Sequence, residues 1–152
     1  MNGLFLRALV AFLALPGMVA FAIPLLLIAP RDSRTLEPWG LLPLTLGLVV
    51  LALTVREFYV AGHGTLAPWS PPKTLVTSGL YRYSRNPMYV GVLLILVGWA
   101  IGFRSWPLAI YAQGIALAFH FRVLINEEPF LARTQPQAWA RYRAAVPRWL
   151  GF

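Results

Sequence analysis

Residues 79–91 read Gly-Leu-Tyr-Arg-Tyr-Ser-Arg-Asn-Pro-Met-Tyr-Val-Gly. Three tyrosines, two arginines and an asparagine gather around Pro87, where a polar loop runs into an apolar segment. Polar clusters at the edge of a bilayer are costly unless they bind a partner. A second cluster follows the last apolar segment: Asn126-Glu127-Glu128, then Tyr142 and Val146-Pro147-Arg148. Arginine can fork onto a carboxylate. A glutamate can take a cation, and a tyrosine offers a hydroxyl and a π face that attracts positive charge. A pocket holding all three suits a ligand that carries both a positive charge and a carboxylate.

Each residue also has a plainer role. Proline fits the first turn of a helix, where its missing donor has no partner anyway. Asn86 can cap that helix, and Arg85 can snorkel from it. This accounts for Asn86 and Pro87 but not for the tyrosine-rich lead-in or for Tyr89 one turn inside. The same positive helix end could hold a carboxylate or phosphate. One of Glu127 and Glu128 can open the tail helix, where the dipole favours negative charge. The other calls for a partner such as Arg122 or a cationic ligand. His63 and His120 fall short of a closed zinc site, and no metal is expected. A hydrogen-bonded histidine at the membrane boundary explains each more simply than haem ligation.

The elements that must position these residues are membrane helices. The hydrophobic fraction is 59% and the charged fraction 12%, against roughly 45–50% and 25% for soluble domains. Four apolar runs of about 17–23 residues lie between charges, close to the roughly 20 that span a bilayer. They predict helices over about 5–29, 39–60, 87–103 and 105–125, with a loop at 61–86 and a tail at 126–152, in one domain covering 1–152. The first run is too long for a signal peptide's apolar core and is expected to kink at Pro16 or Pro24. The short turn Gly102-Phe103-Arg104-Ser105 makes the last two helices an antiparallel hairpin. The tail reads as helical from Glu127 to Ala145, broken near Pro136, with an amphipathic character that suits a membrane surface.

The net charge is +8. Its lysines and arginines lie between apolar runs, so positive-inside topology explains them better than nucleic acid does. The bias places both termini, the 61–86 loop and both polar clusters on the cytoplasmic side. There is no cysteine, which excludes disulfides and thiolate chemistry. The glycines at 62 and 64 lack the lysine and strand–helix context of a phosphate loop.

Two motifs in order carry a resemblance. The first is Gly-x-Tyr-x-x-x-Arg-(His or Asn)-Pro-x-Tyr-x-Gly, matched by Gly79, Tyr81, Arg85, Asn86, Pro87, Tyr89 and Gly91. The second is Glu-Glu-x-x-Leu followed by Tyr-x-x-x-Val-Pro-Arg, matched by Glu127, Glu128, Leu131, Tyr142, Val146, Pro147 and Arg148. Over about its last 90 residues the chain resembles the integral-membrane methyltransferases of the isoprenylcysteine carboxyl methyltransferase and phospholipid methyltransferase superfamily. It departs from them at Gln135-Pro136, where Phe-Gly is usual, and at Trp139, where tyrosine is usual. Asn86 stands where eukaryotic members have histidine.

The resemblance implies an all-α polytopic membrane enzyme, in a bacterial inner membrane, whose cytoplasmic tail completes a site for S-adenosylmethionine. Arg85 and Glu128 would be catalytic. Gly79, Tyr81, Arg85, Asn86, Pro87, Tyr89, Glu127, Glu128, Tyr142 and Arg148 would line the cofactor site. The acceptor would be lipid-like or a small amphiphile, either a carboxylate or an amine. Two alternatives stand beside this: a nicotinamide-dependent membrane reductase of related fold, and a non-enzymatic haem or interaction protein.

Overall fold

The computed structural model describes residues 13–28, 36–60 and 75–151. His63, Trp69, Pro71-Pro72 and Lys73, singled out within the expected loop, lie outside the described residues, as do Arg7 and Arg31. Helix is the only regular secondary structure among the described residues. A wide, π-helical segment Leu13–Ala22 runs into α1 (Ile23–Ile28). Then come α2 (Pro38–Val60), a 3₁₀ turn Gly79–Arg82, α3 (Pro87–Gly102) and α4 (Trp106–Arg122). A π-helical turn Val123–Glu127 leads into α5 (Glu128–Thr134) and α6 (Pro136–Ala145).

Proline marks the helix starts. Pro38 and Pro136 open α2 and α6, and Pro87 opens α3. Pro107 and Pro129 stand second in α4 and α5. The first turn has no use for the missing N–H, and the fixed φ is already helical. The disruption expected at Pro16 takes the form of a widened helix rather than a kinked α-helix. Side chains on α3 and α4 use its carbonyls: Trp99 Nε1 donates to Ala20 O at 2.9 Å, and the Tyr111 hydroxyl donates to Val19 O at 3.1 Å.

Two stretches are long and apolar enough to cross a membrane, Pro38–Glu57 at 20 residues and Trp106–Thr134 at 29. Pro16–Ile28 and Pro87–Gly102 are apolar but shorter. At 1.5 Å per residue, α3 reaches only about 24 Å against a hydrocarbon core of roughly 30 Å.

α2 and α3 pack with backbones nearly in contact. A Cβ built on Gly47 would lie 2.6 Å from Gly91 O, and one built on Gly98 would lie 2.7 Å from Leu44 N. Helices in lipid gain little from hydrophobic exclusion, so close van der Waals approach through small residues drives such pairing. Leu51, Val92, Ile95 and Leu96 fill the seam, with Ala20 and Ala112 from the neighbouring helices. Buried Thr54 donates back to Val50 O and Leu51 O, so its hydroxyl is satisfied without an outside partner.

The α3–α4 turn falls where the sequence places it. Arg104 N–H donates to Ile101 O and Ser105 N–H to Ala100 O, both at 3.0 Å. This is the reciprocal Schellman closure of a helix end. Its left-handed position is filled by Arg104, φ 47°, rather than by glycine.

Candidate active site

The first motif folds as a tight turn ahead of α3. Gly79 has φ +57°, a left-handed conformation that glycine adopts without strain. The 3₁₀ turn then buries Tyr81 and leaves Tyr83 68% exposed, so the tyrosines of the lead-in part company. Ser84, fully buried, accepts the Asn86 N–H at 3.1 Å and donates to Arg148 O at 3.2 Å. Asn86 occupies the cap position of α3, but its side chain makes no capping bond. It donates instead to Arg148 O at 3.1 Å, across 62 positions of sequence. The capping role expected of its side chain therefore gives way to tertiary docking.

The tail folds back over this turn. α5 and α6 are separated at Gln135, as the proline at 136 requires. Trp139, Tyr142 and Val146 form a small buried cluster against Leu75 and Leu131. The Tyr142 hydroxyl donates to Tyr81 O at 2.7 Å, and the Arg85 N–H donates to Pro147 O at 3.0 Å. These bonds bring the two motifs of the sequence into one structure.

At their junction lies a charge cluster. Arg148 forks onto Glu128, Nε to Oε1 at 2.7 Å and Nη2 to Oε2 at 2.9 Å. Arg85 Nη1 stands 3.0 Å from the same Oε1. Its side chain is only 8% exposed, and its guanidinium lies 5.2 Å from the Trp139 ring centroid. The Arg85–Glu128 approach is close but poorly aligned: Arg85 Nε and Nη1 are buried with no hydrogen-bond acceptor among the described residues. Burial pulls the Arg85 guanidinium below its ordinary range, opposed by Glu128. The hydrogen bond to Glu128 holds that of Arg148 above it. Burial also pushes the Tyr142 hydroxyl up to about 12. Tyr81 is driven well above 10 by burial and then by Tyr142, Tyr89, Glu127 and Glu57 around it.

The adjacent glutamates serve different partners. Through the turn Val123–Glu127 the Glu128 N–H reaches back five residues to Val123 O. This turn holds one residue more than an α-turn, so Glu128 lags by about 100° behind its place on an unbroken α-helix. Glu127 Oε1 accepts from the Tyr89 hydroxyl and from Arg122 Nε, the latter at 2.9 Å. Arg122 is the neighbour expected for one of the pair. Glu128 opens α5 and faces the tail arginine. Tyr89 stacks on Phe119 of α4 with ring centroids 4.2 Å apart.

Gly79, Tyr81, Arg85, Asn86, Pro87, Tyr89, Glu127, Glu128, Tyr142 and Arg148 thus fall in one region, in two linked networks. Ser84 was missed by sequence reasoning. Its only signal is a small polar residue directly before the motif arginine. His120 sits apart, accepting a hydrogen bond from Trp149 Nε1 at 3.3 Å on Nδ1.

These residues fit a group bearing a carboxylate, an ammonium and a cationic centre. Arg85 offers buried N–H groups that lack acceptors among the described residues. Glu127 and Glu128 bring anionic oxygens, held by Tyr89, Arg122 and Arg148, with the tyrosine rings of Tyr81 and Tyr89 buried nearby.

The family model for phospholipid methyltransferases matches residues 38–137. The match takes in α2, the whole first motif and both glutamates, and ends before Tyr142 and Arg148. No curated relative and no solved structure matches the chain significantly. The geometry that joins the two motifs and the family match over most of the chain meet in one conclusion: this chain belongs to the phospholipid methyltransferase family, whose members are membrane methyltransferases.

Proposed function

We propose that the chain transfers a methyl group from S-adenosylmethionine to a lipid-like or small amphiphilic acceptor at the cytoplasmic membrane face. The observation that carries this reading is the Arg85–Glu128–Arg148 cluster, in which two arginines from separate motifs converge on one glutamate and buried Arg85 N–H groups have no hydrogen-bond acceptor among the described residues. When bound, the cofactor supplies an electrophilic methyl group on a sulfonium. Arg85 holds the carboxylate of the amino-acid moiety, and Glu128, kept in place by Arg148, takes its ammonium or ribose hydroxyls. Tyr81 and Tyr89 present π faces to positive charge. The docked tail excludes water, which strengthens each of these contacts. Methyl transfer is an in-line displacement, so orientation of the two reactants supplies much of the acceleration. An amine acceptor must shed a proton, and Glu127, at the membrane end of the cluster, is the group to receive it. A carboxylate acceptor needs no base.

The excess of arginine on the loop and tail side supports both termini in the cytoplasm, and the four apolar segments support four membrane-crossing helices in one domain; the membrane we assign is a bacterial inner membrane. α3 would cross with its flanking Arg104 snorkelling, or with local thinning of the bilayer.

Calorimetry of S-adenosylmethionine and its demethylated product with detergent-solubilised protein tests the reading. Saturable binding that Glu128→Ala abolishes, with helix content retained, is the expected result. Folded wild-type protein that binds neither compound would refute it.

A further inference from the structure

Glu57, near the end of α2, belongs to neither motif. Its Oε2 accepts a hydrogen bond from Ser78 Oγ at 2.6 Å. Ser78 in turn starts the turn that delivers Tyr81, whose N–H donates to Ser78 O at 3.1 Å. The neighbouring Gly79 leaves room for the carboxylate: a Cβ there would stand 2.9 Å from both Cγ and Cδ of Glu57. After burial and the neighbouring tyrosines, the charges of Glu127 and Glu57 also push the Tyr81 hydroxyl up.

The simpler role for Glu57 is an interfacial partner for Arg56. Their contact is 3.5 Å, and the Arg56 side chain is 68% exposed while that of Glu57 is 19% exposed. An exposed pair of that length contributes little. A short bond from a hydroxyl to a carboxylate is among the stronger hydrogen bonds. The geometry therefore favours Ser78 as the partner that fixes Glu57.

We propose that Glu57 is a positioning residue for the transfer site, clamping the Ser78–Gly79 corner so that α2 sets the placement of Tyr81 and, through it, of Tyr142 and Arg85. The role in catalysis rests on the methyltransferase reading above; the clamp itself does not. A corner held to a membrane helix keeps the cofactor-side turn in register with the acceptor's route through the bilayer. The clamp uses the carboxylate as an acceptor, so the carbonyl oxygen of a glutamine can replace it. A role for charge on a substrate cannot be so replaced.

The test compares Glu57→Ala, Glu57→Gln, Ser78→Ala and the double alanine variant in detergent. Amide hydrogen exchange is followed in peptides covering 78–86 and 139–148. S-adenosylmethionine affinity is followed by calorimetry. Glu57→Ala and Ser78→Ala are each expected to speed exchange in both peptides and to weaken binding by roughly 10- to 100-fold. The double variant should be no worse than either single one, because one bond is lost in all three. Glu57→Gln should restore protection and affinity to near wild type. Wild-type exchange in Glu57→Ala would overturn the clamp. So would a Glu57→Gln variant as impaired as alanine, or single effects that simply add. Ser78→Ala removes the bond from the other side, so misfolding of one variant does not block the test. If wild-type protein binds no S-adenosylmethionine, the functional reading fails while exchange still decides the clamp.

Discussion

The Tyr142 hydroxyl donates to the backbone carbonyl of Tyr81 at 2.7 Å, across 61 positions of sequence and in a buried setting. It is the bond that holds α6 to the turn ahead of α3. Losing a typical hydrogen bond of this kind costs about 0.5–1.5 kcal/mol. Tyr142→Phe is expected to lower the unfolding midpoint in detergent and to weaken S-adenosylmethionine binding. The same variant with unchanged stability and affinity would show that the tail docks without it.

The tyrosines also set an alkaline limit. Burial raises Tyr142 to about 12 and Tyr81 in the same direction, against about 10 in an unfolded chain. Between those values the native state keeps protons that the unfolded state has lost. The contribution of Tyr142 is therefore complete below about pH 10 and is lost as pH rises through about 12, and that of Tyr81 is lost in the same direction. Unfolding midpoints measured from pH 8 to 12 should fall across the upper half of that range. Tyr142→Phe should make the fall shallower.

Arg148 holds Glu128 with two parallel bonds, a geometry that lysine cannot reproduce. Arg148→Lys is expected to weaken S-adenosylmethionine binding by roughly tenfold, and Arg148→Ala by more, since truncation removes a charge-assisted bond worth about 1.5–3 kcal/mol. Equal, wild-type affinities for both variants, read by calorimetry, would remove Arg148 from the site.

The α3–α4 turn carries a correctable cost. Arg104 takes a left-handed conformation that disfavours residues with a Cβ by about 1–2 kcal/mol. Arg104→Gly is expected to raise the unfolding midpoint while leaving cofactor binding as it is, because the turn lies at the far end of α3 from Arg85. A lower midpoint would mean that the arginine's charge at this end of the helix outweighs its backbone strain.

What was legible in the sequence was local. The start of α3 at Pro87 and the break beside Pro136 each follow from one residue's backbone preference, and the turn at 103–105 from the short gap between two apolar runs. The pairing of the two motifs could be anticipated because polar residues at a membrane edge need partners. Which atoms meet could not. Asn86 finds Arg148 O rather than its own helix, and that choice depends on where the tail lands. The division of Glu127 from Glu128 depends on a widened turn, and Val123 to Glu127 carry no residue type that forces one. Glu57 and Ser78 meet across 21 positions that include the loop, a separation at which pattern gives no register.

The widened turn at Val123–Glu127 has a consequence for how the chain tolerates changes of length. It holds one residue beyond a regular α-turn, so a deletion there can be absorbed by reverting to ordinary helix, with the faces on either side still in phase. A deletion inside α4 has no such slack and turns everything after it by about 100°. Deleting Ile125, whose side chain is exposed, should leave a folded protein that still binds S-adenosylmethionine, though more weakly as Glu127 shifts. Deleting Leu117, also exposed, should swing Glu127 off Tyr89 and Glu128 off Arg85 and end binding, with calorimetry as the common readout. Indels in this protein would then be sorted by helical phase rather than by the chemistry of the residue lost.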